Sequence, residues 1–149
     1  PAQPQDAAAY QRLGLAFGVL FTTEGIPLIY YGDEVGLAGG GDPDNRRMMP
    51  WNDAELLDAQ KDLRTHLRRL GQIRSQYKTL SRGDRQTLSA DNETWVYQST
   101  CRDEQFDDLV VAINRGDGTR NNLGIPAGRY IDLLTDRELE QKQYHQKIY

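Results

Sequence analysis

The chain has 149 residues, enough for one domain at the usual allowance of roughly 100 to 200 residues, and too few for the roughly 250 that a complete (β/α)8 barrel needs. Hydrophobic residues make up 38% and charged residues 27%, with a mean hydropathy of -0.74, which excludes a membrane protein and a disordered tail alike. With 18 Lys and Arg against 22 Asp and Glu, the formal charge is -4; without a basic block, nucleic acid is excluded as a partner.

Pro1-Ala2-Gln3-Pro4 reads as a linker. Asp6 is placed to cap a helix that Ala7-Ala8-Ala9 favour and that runs to about Thr22, with Gly25 as the left-handed stop soon after. Towards its end apolar residues occupy nearly every face, as in a helix sandwiched between layers. The apolar stretch from Leu13 to Phe21 follows Asp6 rather than a basic region and is too short to span a bilayer. Ile26 to Tyr31 is a proline-led apolar and aromatic run ending at Gly32, which predicts a strand buried on both faces. Helix followed by such a strand is half of a βαβ unit.

Residues 33–51 form a long polar loop with Gly39-Gly40-Gly41, Pro43 and Pro50; loops of that length are usually functional or disordered. A second helix is predicted to start between Asn52 and Asp58. Leu63, Leu67, Leu70, Ile73, Tyr77 and Leu80 mark its buried stripe, and Lys61, Arg64, Arg68, Arg69 and Arg74 a solvated face. Beyond Ser81 to Asp84 the period changes. Strands are predicted over 94–100, 109–114 and 130–134, separated by turn residues, as in an antiparallel all-β module, with the boundary near residue 80.

Chemistry concentrates in the loop. Gly39 to Arg47 combines flexible backbone with carboxylates and guanidinium groups, and a carboxylate together with a planar Arg fork can bind the vicinal hydroxyls of a sugar. Tyr31 and Trp51 flank it with faces suited to stacking on a pyranose. The same residues equally suit a tight turn and a local ion pair. An EF-hand frame starting at Asp42 puts Arg47 where Gly is required, and the glycines lack the Gly-Lys-Ser/Thr ending of a phosphate loop. Asp33 and Glu34 are carboxylates at a strand end, where a retaining glycosidase needs a pair about 5 to 5.5 Å apart; adjacent residues usually point apart, which favours a role in shaping the loop. His66 and His145 have no acidic or nucleophilic partner in register, and the single Cys101 lies in a predicted strand as a buried, inert thiol.

The string Gly25 to Glu34, followed by Gly40-Gly41-Asp42-Pro43-Asp44-Asn45-Arg46-Arg47-Met48-Met49-Pro50-Trp51, resembles the last barrel strand and following loop of the alpha-amylase superfamily of glycoside hydrolases. Leu67 to Arg74, ending in Leu80-Ser81-Arg82-Gly83-Asp84, is similar to that family's last barrel helix leading into its C-terminal domain. The resemblance implies α/β plus all-β architecture: residues 1–80 as the last α-β-α portion of a (β/α)8 barrel, and residues 81–149 as an antiparallel C-terminal β-sandwich lacking its last strand. It implies that the parent is a retaining enzyme acting on α-glucosidic linkages of starch-like oligosaccharides. The family's three catalytic acids lie on earlier strands, so no catalytic residue is expected here and the isolated piece is expected to be inactive. Asp42 and Arg46 match residues that hydrogen-bond a glucose unit. The Arg-Arg-Met-Met-Pro-Trp ending is closer to neopullulanase and cyclomaltodextrinase relatives, although Met48 stands where those usually have proline.

No metal site or cofactor is expected in this stretch, and calcium in the parent is left open. Hydrolysis versus transfer, substrate length and compartment are undecided. Cut from its barrel neighbours, the chain should expose Phe17, Leu20, Phe21, Leu28 and Ile29 and self-associate. The rival expectation is a non-catalytic carbohydrate-binding or interaction module, which a gene ending upstream of Pro1 would support and about 300 further upstream residues would end.

Overall fold

The computed structural model describes residues 2–101, 107–120 and 123–141. Helix α1 spans Ala7–Thr22, and its Asp6 cap accepts from the Ala8 amide at 2.9 Å. Helix α2 spans Asp58–Gln76, starting where the Gln60 side chain accepts from the Leu57 amide at 3.1 Å. Tyr10, Phe17 and Phe21 of α1 and Leu63, Leu67 and Leu70 of α2 form the core between them. Burying each such side chain contributes about 1.5–3 kcal/mol. The full-circumference burial expected for α1 is not seen: Leu15 and Val19 are half-buried and Ala16 is exposed.

The two helices point the same way. Gly14 lies beside Leu63 and His66, whereas Phe21 lies beside Gly71 and Arg74. Helices that pack side by side and parallel need a return segment along their length, roughly 24 Å for α1, and a run as short as 26–31 reaches roughly 20 Å when extended. Residues 23–57 supply that return. Gly25 sits at the C-terminal end, held by Arg74, and Val35 at the N-terminal end, where Gln60 Nε2 donates to its carbonyl at 2.7 Å.

Segment 26–31 corrects the expectation of a buried strand, because it forms neither strand nor helix. Ile26 is 95% and Leu28 85% exposed, and Ile29, Tyr30 and Tyr31 are exposed as well. A strand needs a neighbour to share its ladder, and among the described residues every strand pairs elsewhere. The exposed apolar surface is also differently composed from the one expected. Phe17 and Phe21 are buried against α2 and Leu20 packs on the same core, so of the five residues expected to be exposed only Leu28 and Ile29 are, and Ile26, Tyr30 and Tyr31 join them.

Several polar residues turn out to be fastenings. Arg74, expected to be solvated, donates to the carbonyls of Phe21 at 2.6 Å, Thr23 at 2.9 Å and Gly25 at 2.6 Å. Arg69 donates to the Leu133 carbonyl at 2.7 Å and pairs with Asp136, and Arg64 pairs with Asp53 at 2.8 Å. Gln3, in the supposed linker, donates to Tyr10 Oη at 2.8 Å and the Gly36 carbonyl at 2.7 Å, and accepts from the Ala38 amide at 2.9 Å.

After the short helix α3, Thr79–Arg82, come β1 (Asp84–Ala90), β2 (Thr94–Thr100), β3 (Leu109–Asn114), β4 (Gly128–Asp132) and β5 (Arg137–Gln141). They form two antiparallel sheets, β1-β2-β3 and β4-β5. Central β2 is the best buried: Val96 and Tyr97 are inaccessible, and Tyr97 Oη donates to Thr22 Oγ1 at 2.6 Å, joining sheet to α1. The strand expected over 130–134 lies two residues earlier, since Leu133 and Leu134 belong to the turn that Arg69 grips. Cys101 is half-buried just beyond β2 rather than inside it. His66 is half-buried beside Gly14, while His145 lies outside the described residues.

Candidate functional site

The loop after segment 26–31 lies at the N-terminal end of α1 and α2, because Gly36 packs on Tyr10 and Val35 is tied to Gln60. Gly32 begins it at φ +90°, where an added Cβ would stand 2.9 Å from the Leu37 side chain; glycine alone takes that turn without strain. Asp33 and Glu34 shape the turn. Asp33 Oδ2 accepts from the Tyr30 amide at 3.0 Å and Glu34 Oε2 from the Gly32 amide at 2.8 Å. Both carboxylates therefore serve the backbone and do not form a facing pair.

The chain then folds back on itself. Gly39 passes so close to residues 44–45 that a Cβ would meet the Asp44 carbonyl oxygen at 2.9 Å. A single 3-10 turn spans Asp44–Arg46, and two ion pairs interleave across it. Arg46 Nη2 bonds Asp42 Oδ1, with side chains 58% and 69% exposed. Arg47 closes a two-bond fork on Asp44, Nε to Oδ1 at 2.6 Å and Nη2 to Oδ2 at 2.7 Å, and Asp44 Oδ2 also accepts from the Gly40 amide at 2.9 Å. These bonds, the Arg47 fork first, hold the Asp44 carboxyl down at about 2, and the same fork raises Arg47.

The structure brings Asp42 and Arg46 together, and the pair is open to solvent. Their contact is the local ion pair that spacing alone allowed; it leaves donors of the guanidinium and acceptors of the carboxylate for another molecule. Tyr31 is brought to the loop as expected, with its hydroxyl donating to the Arg47 carbonyl at 3.1 Å and its ring 4.7 Å from that of Tyr30. Partial desolvation and Tyr30 push the Tyr31 phenol up, against Arg46. Trp51 is 83% and Met48 86% exposed. The sequence reading overlooked the Asp44–Arg47 bracket, although an Asp with an Arg three residues on was its available signal. Among the described residues no group of three His, Cys, Asp or Glu side chains is placed to hold a metal ion, and no helix is long and apolar enough to cross a membrane.

No protein-family model matches the chain. Over 107 residues, 70% of its length, it is 38% identical to a cyclomaltodextrinase of Geobacillus thermopakistaniensis, of which it covers 17%. Over 142 residues, 92% of its length, it is 34% identical to neopullulanase 2 of Thermoactinomyces vulgaris, of which it covers 23%. The crystal structure of an alpha-amylase from Geobacillus thermoleovorans, complexed with acarbose, superposes with a TM-score of 0.72 at 31% identity, covering 88% of this chain and 28% of that one. The chain thus spans about a fifth of the length of the curated relatives it matches. Sequence likeness along most of the chain and a shared fold with an alpha-amylase lead to one family, and the chain belongs to the alpha-amylase superfamily of glycoside hydrolases.

Proposed function

We propose that the chain is part of a retaining glycoside hydrolase acting on α-glucosidic linkages of starch-like oligosaccharides, and that it contributes substrate contacts rather than the catalytic acids. Residues 1–80 serve as the last part of a (β/α)8 barrel and residues 81–149 as a C-terminal β-sandwich. The observation that carries the reading is the position of Asp42 and Arg46. They form an exposed carboxylate and guanidinium pair on the loop at the N-terminal ends of two parallel helices, the end of such units where (β/α)8 enzymes bind substrate. There the pair grips two hydroxyls of one glucosyl ring and fixes its register, leaving bond cleavage to carboxylates outside this chain. The relatives support the substrate class by their names, cyclomaltodextrinase and neopullulanase. Without neighbours along segment 26–31 the isolated chain self-associates through its exposed apolar side chains.

Calorimetric titration of the 149-residue chain with maltoheptaose tests this reading. Binding is expected, weakened in Arg46→Ala by about 1–3 kcal/mol, the scale of lost charged hydrogen bonds. The chain alone should release no reducing sugar from starch. An affinity unchanged in Arg46→Ala removes the residue from the site.

A further inference from the structure

The two ion pairs of the loop are built differently, and the difference divides their labour. Asp42–Arg46 is the more exposed pair, at 69% and 58%, and joins through Arg46 Nη2 and Asp42 Oδ1. Asp44–Arg47 is more sheltered, at 43% and 32%, and is a fork of two bonds. A fork fixes the plane and direction of both groups, whereas a single contact leaves them free to rotate.

The sheltered pair also reaches both flanks of the exposed one. Asp44 holds the Gly40 amide, two residues before Asp42. The Arg47 carbonyl takes the Tyr31 hydroxyl, which ties the residue after Arg46 to the chain leading into the loop. The close approach of Gly39 to the Asp44 carbonyl presses the two limbs of the loop together. Residues 40–47 are thereby clamped at both ends, with Asp42 and Arg46 on the clamped segment. An error of about 1 Å in placing a binding group can cost orders of magnitude in rate, so a loop that must present two side chains to one sugar ring needs such a support.

We propose that Asp44 and Arg47, with the Tyr31 hydroxyl, are the positioning residues that aim Asp42 and Arg46 at a glucosyl ring of the substrate. The inference rests on the sugar-binding reading of Asp42 and Arg46 given above. Asp44 and Arg47 themselves need not touch the sugar. The low-lying Asp44 carboxyl keeps the bracket charged at any pH near neutrality.

The test uses the full 149-residue chain with maltoheptaose as the probe. Affinity is read by titration, and exchange of the Gly40 amide by NMR without ligand. Asp44→Asn is expected to lower affinity by about threefold or more, the scale of a lost ion pair, and to speed Gly40 exchange; Arg46→Lys should lower affinity and leave Gly40 protected. Because Asp44 acts through Arg46, adding Asp44→Asn to Arg46→Lys should lower affinity by less than it does alone. Equal factors in both backgrounds, or an unchanged affinity in Asp44→Asn, overturn the inference and leave the sugar-binding reading intact. If the unmodified chain fails to bind maltoheptaose, the sugar-binding reading fails and this inference falls with it. Should Asp44→Asn abolish cooperative unfolding, Arg47→Lys, which keeps the charge and loses the fork, carries the same cycle.

Discussion

Replacing Arg74 with Ala removes the cation that gathers the chain between α1 and segment 26–31. The guanidinium lies 2.6 Å from the Phe21 carbonyl, 2.9 Å from that of Thr23 and 2.6 Å from that of Gly25, with the Leu80 carbonyl at 3.4 Å. The first three belong to the last turn of α1 and the residues just past it, where carbonyls have no partner inside the helix and a nearby cation is favoured by the helix dipole. A hydrogen bond to a charged group contributes about 1.5–3 kcal/mol when sheltered. Arg74 is only half-buried and the freed carbonyls regain water, so the whole loss should be about 2–3 kcal/mol rather than the sum. Urea denaturation followed by far-ultraviolet circular dichroism should show that loss as a lower midpoint at constant slope. Arg74→Lys, which reaches fewer carbonyls with one ammonium head, should fall between. A loss below about 0.5 kcal/mol, the level of an ordinary surface substitution, refutes the fastening role of Arg74.

Two further outcomes follow from the loop and from segment 26–31. The Asp44 carboxyl titrates at about 2 in the folded chain against an ordinary 3.8; a depressed value means that its contribution to loop order is complete above about pH 4 and is lost as the pH falls through 2. Carbon-13 NMR of the Asp44 carboxyl should show that low midpoint, and a midpoint near 3.8 contradicts the bracket. Sedimentation velocity should show mass rising with concentration through the exposed segment 26–31, and the rise should shrink in Leu28→Asp, since Leu28 is 85% exposed. A clean monomer at high concentration contradicts the self-association.

How far the sequence could be read depended on whether burial was local. Helix α2 was legible because its stripe repeats and meets one partner, and α1 because Asp6 and the alanines mark its start. Strands β2 and β3 were legible from Trp95, Tyr97 and a β-branched run. Strands β1 and β5 were not. Their side chains are mostly exposed, so sequences such as Arg137-Glu138-Leu139-Glu140-Gln141 carry no apolar alternation. Segment 26–31 has the composition of a buried strand, but pairing requires neighbours that local composition does not supply. Arginine roles were the least legible. Arg69 and Arg74 sit on the polar face of α2, and only the tertiary fold brings carbonyls from residues 21–25 and 133 to them. At the site, the spacing placed Asp42 with Arg46. The fork of Asp44 on Arg47 depends on the fold-back at Gly39, which motif reading did not weigh.

A crystal structure of the 149-residue chain soaked with maltoheptaose tests the central claim most directly. The account predicts one glucosyl ring with two hydroxyls within about 3.2 Å of the Asp42 carboxylate and the Arg46 guanidinium. A sugar bound elsewhere, with Asp42 and Arg46 still facing only each other, would contradict it.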